Sequence, residues 1–82
     1  MINVDVYVPS LDRVYNFNLD EESKLSVLIE ELSELICKKE HSLLEGEKER
    51  FIMGSIDQRL NFNSEYSLKE YSVKNGERLI LA

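Results

Sequence analysis

The chain has 82 residues, of which 43% are hydrophobic and 32% charged, and a formal net charge of −6. That length makes one domain, 1–82, near the lower limit for folding on a hydrophobic core alone. The acidic balance argues against nucleic acid, whose phosphates are held by clustered Lys and Arg, and favours basic protein partners; the lack of a long uncharged apolar run argues against direct membrane insertion.

The opening Met1-Ile2-Asn3-Val4-Asp5-Val6 reads as a strand rather than the basic-then-apolar plan of a signal peptide, so the chain is expected to stay in the cytosol. Ile2, Val4, Val6 and Val8 alternate with Asn3, Asp5 and Tyr7, the period of a half-buried strand. Pro9-Ser10-Leu11-Asp12 supplies a turn. A second alternation follows, with Tyr15, Phe17 and Leu19 on one face and Asn16 and Asn18 on the other, completing a hairpin.

The period then changes to that of a helix. Leu25, Leu28, Ile29, Leu32, Leu35 and Ile36 form one apolar stripe, while Glu30, Glu31 and Glu34 occupy the opposite, solvated face. Ser23 is expected as the N-cap. The helix is expected to end between Lys39 and His41, although Leu43 keeps the phase and Gly46 is an acceptable C′ residue. Cys37, the single cysteine, has no partner for an internal disulfide and reads as a helix-flank residue in a reducing compartment. With one His and one Cys, a zinc site is not expected, and no cofactor is.

After a charged loop, Phe51-Ile52-Met53 reads as a strand, Gly54 to Gln58 as a bend, and Leu60 with Phe62 as a short returning strand. Ser67 to Tyr71 reads as one turn of 3₁₀ helix. Asn75-Gly76 is a turn, and Glu77 to Leu81 a closing strand with Leu79 and Leu81 on one face. Hairpin, helix and further strands make an α+β plan in which one helix covers one face of one sheet.

This order of elements resembles the ubiquitin-like β-grasp, a mixed sheet of four to five strands packed on one main helix. The ending Leu68…Val73-Lys74-Asn75-Gly76-Glu77-Arg78-Leu79 more specifically resembles the YukD/EsaB family, small ubiquitin-like proteins associated with bacterial type VII secretion systems. The resemblance covers nearly the whole chain in element order, but residue similarity concentrates in the last fifteen or so positions. Tyr71 departs from some relatives, and the segment 40–50 is longer than a minimal β-grasp. The resemblance implies an accessory or regulatory component that works by protein–protein contact on the cytosolic side of a secretion machine, cytoplasmic or held peripherally on its membrane complex.

Three functional readings follow. A modifier or sulfur carrier needs a flexible tail ending Gly-Gly, which Leu79-Ile80-Leu81-Ala82 does not offer, so conjugation is not expected. Catalysis is not expected either: Glu30-Glu31 reads as a solvated helix face, and His41 has no nucleophile at a spacing that implies a shared site. Binding remains. Alternation turns Asp5, Tyr7, Ile52 and Ile80 away from the helix, and Tyr7, Ile52 and Ile80 are the candidate protein-binding patch; by the resemblance, Ile52 and Ile80 fall near the hydrophobic recognition patch of ubiquitin. Isolated apolar surface residues are the ordinary alternative. An adaptor in another bacterial complex is the second functional reading, and the oligomeric state is open.

Overall fold

The computed structural model describes residues 1–39 and 51–82. The elements in chain order are β1 (Ile2–Val8), a 3₁₀ turn (Pro9–Leu11), β2 (Arg13–Leu19), α1 (Leu25–Lys39), β3 (Met53–Ser55), β4 (Leu60–Asn61) and β5 (Arg78–Leu81). The strands form one five-stranded sheet in the order β2-β1-β5-β3-β4. It is mixed: β1 and β5 are parallel, and the other pairs antiparallel.

The alternation in β1 is complete, with Ile2, Val4, Val6 and Val8 buried and Asn3, Asp5 and Tyr7 half-buried on the outer face. β2 continues the pattern, burying Tyr15 and Leu19, with Phe17 packed against the core. The hairpin loop turns on Asp12, whose φ of 50° is left-handed, a region that Asp tolerates better than most residues.

α1 lays Leu25, Leu28, Leu32 and Ile36 on the inner sheet face. Burying side chains of this size contributes about 1.5–3 kcal/mol each before chain entropy is counted. Leu35, expected in the stripe, is 51% exposed instead. The buried face is formed by Leu25, Leu28, Leu32 and Ile36, with the fully buried Ser33 on one side; Leu35 falls at the opposite margin, about 100° round the helix from Ile36. Ser33 enters the core because its hydroxyl donates to the Ile29 carbonyl at 2.6 Å.

Ser23 is not the N-cap. Its hydroxyl donates to the Asp20 carboxylate at 3.2 Å, and α1 begins two residues later. The free N–H groups of the first turn are taken by another part of the chain: Leu25 donates to the Tyr66 carbonyl at 2.8 Å and Ser26 to the Ser64 carbonyl at 2.9 Å. The other end of the helix reaches Lys39, and the expectations for His41, Leu43 and Gly46 lie outside the described residues.

The segment from Phe51 onward departs from expectation in register. The strand is Met53–Ser55, not 51–53, so Gly54 and Ser55 are ladder residues and the turn begins at Ile56. Gly54 is required by crowding: a Cβ there would lie 2.6 Å from the Leu60 carbonyl oxygen and 3.2 Å from the Asn61 Cα. Ser55 is buried with its hydroxyl donating to Glu77 Oε2 at 2.7 Å and accepting from the Gln58 N–H at 3.0 Å. β4 spans Leu60–Asn61, and Phe62 follows it with its N–H donating to the Met53 carbonyl at 2.8 Å. Residues 67–71 form hydrogen-bonded turns rather than a 3₁₀ helix, closed by Ser72 at a φ of 55°; the 3₁₀ turn sits at Pro9–Leu11 instead.

Pairing continues past β5 itself. Ile52 donates to the Ala82 carbonyl at 2.7 Å and Ala82 donates to the Ile52 carbonyl at 2.9 Å, so the backbone is laddered through residue 82.

Candidate protein-docking face of the sheet

Strand register assembles the outer face from residues far apart in sequence. Val14 lies opposite Tyr7, Tyr7 beside Ile80, Ile80 opposite Gly54, and Gly54 opposite Asn61. One row therefore crosses all five strands, at roughly 4.8 Å per step. Its first three members are apolar or aromatic, and the fourth has no side chain, so the surface steps down beside Ile80.

The next position along the sheet is Ile52, 54% exposed and joined in the ladder to Ala82. Val14, at 62%, is more exposed still, and Ile56 sits near the Arg78 carbonyl, which accepts its N–H at 2.8 Å. A shallow cleft of about 250 Å³ opens between Asp5, Tyr7, Val14, Ile56, Arg78 and the Leu79 backbone segment.

The sequence expectation named Tyr7, Ile52 and Ile80. Tyr7 and Ile80 are cross-strand neighbours, and Ile52 lies on the adjoining strand segment, two residues from the Gly54 that faces Ile80. Val14 and Ile56 were missed. For Val14 a signal existed, since the alternation of Tyr15, Phe17 and Leu19 puts it outward; Ile56 lay in a segment read as a bend.

Polar contacts fix the rim of this face. The Tyr7 hydroxyl donates to Asp12 Oδ1 at 3.3 Å. Partial desolvation, with the Asp12 charge and that hydrogen bond, raises the phenol above its ordinary value. Arg78 is clamped by Asp57: its N–H donates to Oδ2 at 2.8 Å, and Nε and one terminal nitrogen reach Oδ1 at 2.9 and 2.6 Å. The backbone hydrogen bond, then the side-chain one and the guanidinium charge, hold the Asp57 carboxyl below the usual range against a smaller desolvation effect. The clamp pins the 56–59 turn to the start of β5.

At the other end the face is amide-lined. Asn16 Nδ2 donates to Asn3 Oδ1 at 2.8 Å and Asp5 Oδ1 at 2.9 Å, and Asn3 Nδ2 donates to Asn16 at 2.8 Å and Asn18 at 3.0 Å. The outer face thus grades from a closed polar network to an open apolar row. Such a surface suits docking of another protein, with the apolar row as centre and the charged groups as rim.

No protein-family model matches the chain, and no curated protein does. Solved structures do match. The ubiquitin-like domain of EccD5 from Mycobacterium xenopi is similar at a TM-score of 0.79 and 24% identity, over 99% of this chain and 91% of that one. The ubiquitin-like domain of an Arabidopsis thaliana protein is similar at 0.68 and 17%, over 99% and 74%. The chain therefore has the ubiquitin-like β-grasp fold: a five-stranded mixed sheet with one main helix. Among the described residues no helix is long and apolar enough to cross a membrane.

Proposed function

We propose that this chain is a non-catalytic ubiquitin-like unit, 1–82, that serves as an accessory or regulatory component of a bacterial type VII secretion system. It acts from the cytosolic side by docking a protein partner on the outer face of its sheet, without being conjugated. The observation that carries the docking role is the row Val14–Tyr7–Ile80 ending at Gly54, flanked by Ile52 and Ile56. The assignment to a secretion system rests on the resemblance of Val73-Lys74-Asn75-Gly76-Glu77-Arg78-Leu79 to the YukD/EsaB family. The likeness to the EccD5 domain supplies the fold only.

Within residues 1–82 the glycines, at 46, 54 and 76, are nowhere adjacent, and the Ala82 backbone is paired with that of Ile52. A docking module in another bacterial complex is the second reading, and it uses the same face.

The test pairs Ile52→Asp with Val14→Asp, both at well-exposed positions, and adds Ile80→Asp in the centre. Each variant is first checked for a cooperative melt. Folded variants are expected to lose roughly tenfold or more in capture of secretion-machinery proteins, and to lower secretion in cells, because a charge at a desolvated apolar centre costs several kcal/mol. Folded variants that secrete and capture normally sink the docking face. An unmodified chain that captures no secretion-machinery protein favours the second reading.

A further inference from the structure

The two edges of the sheet are unlike. β4, at one edge, is only two residues long, which blunts it. β2, at the other, runs for seven residues, Arg13–Leu19, and among the described residues it has β1 on one side and no strand on the other. In a chain that is 32% charged, Val14 to Leu19 carries no charge and no proline, two of the devices by which edge strands are protected from pairing. Among the described residues, the Asn16 and Asn18 side chains do not cover the edge. Asn16 and Asn18 both engage Asn3 on β1, so their amides turn inward over the sheet.

The geometry points to a second copy of this chain as the occupant of that edge, pairing β2 with β2 antiparallel across a twofold axis at Asn16. This register keeps the two helices on one side and the two docking faces on the other. It sets Tyr15 opposite Phe17 of the second copy, Val14 opposite Asn18, Asn16 opposite itself and Arg13 opposite Leu19. No like charges meet, although each copy carries −6. Tyr15 and Phe17 already stack within one copy, with ring centroids 6.0 Å apart and planes at 25°, and Phe17 is only partly buried. Pairing extends that stack across the axis and removes the remaining Phe17 surface from water. The product is a continuous ten-stranded sheet with two apolar rows side by side.

The unmodified chain tests this first. Sedimentation velocity from micromolar to millimolar concentration is expected to show a monomer–dimer equilibrium, with alternate β2 amides gaining protection from hydrogen exchange as the dimer fills. Concentration-independent exchange in β2, or a monomer throughout, overturns the proposal. Charge at the axis tests the register. Asn16→Lys and Asn16→Asp alone each place like charges opposite one another, and each is expected to weaken the dimer by about tenfold or more. An equimolar mixture of the two is expected to restore it. Dimers that persist in both single variants, or a mixture that stays monomeric while the unmodified chain dimerises, overturn the Asn16 axis. Because Asn16 lies outside the apolar row, this result and the partner-capture result fail independently.

Discussion

Single residues decide where this surface is flat and where it is fixed. Gly54 lies in a strand, where glycine is normally a poor choice, because the Leu60 carbonyl and Asn61 backbone leave no space for a Cβ. Gly54→Ala is expected to cost about 1–3 kcal/mol through overpacking against backbone that cannot rotate away; urea denaturation measures it, and a change under ~0.5 kcal/mol counts against the crowding. Asp57 makes a different prediction. Its folded pKa is lowered, so its contribution to stability is fully present above the ordinary aspartate value and is lost as pH falls through the lowered one. The melting temperature of the unmodified chain should exceed that of Asp57→Asn at neutral pH, and the gap should narrow as pH drops below the usual aspartate range. A gap that widens on acidification contradicts the Arg78 clamp.

Among the elements, those with strong periodicity were legible in the sequence, and those fixed by tertiary contact were not. The alternation in Ile2–Val8 and the spacing of Leu25, Leu28, Leu32 and Ile36 identify β1, α1 and the faces they bury. The register near β3 was misread because Gly54 and Ser55 have turn-like composition. One is in the ladder for lack of space and the other because Glu77 and Gln58 satisfy its hydroxyl. Ser23 sits where a cap belongs, but the carbonyls of Ser64 and Tyr66 arrive from some forty residues away and do that work. Ser23→Ala should therefore change stability by under ~0.5 kcal/mol, whereas a true cap would cost about 1. Leu32→Ala, which empties a fully packed site, should cost about 2–5 kcal/mol. Thermal melts of the two variants compare them directly, and a larger loss in Ser23→Ala would reverse the capping assignment.

At the scale of the whole molecule, the candidate site was half visible. Alternation says that Tyr7 and Ile80 face outward, but not that they are neighbours, because strand order is a property of the sheet and not of any segment. The parallel pairing of β1 with β5 brings them together and carries Val14 and Ile52 to either side. The same topology explains why the face is continuous despite its scattered origin: the hairpin supplies Val14 and Tyr7, the middle of the chain Ile52 and Gly54, and the last strand Ile80.

The position of β5 in the middle of the sheet also constrains how the protein is born. β1 and β2 emerge from the ribosome first and can form their hairpin, yet the hairpin borders β5, which is synthesised last, and β3 reaches the hairpin only through β5. The native contact between Val6 and Leu79 spans almost the whole chain, and long-range pairings of this kind are slow to form. Translation therefore delivers the hairpin and helix before the strand that joins them to β3, and the sheet closes only after residues 78–81 have left the exit tunnel.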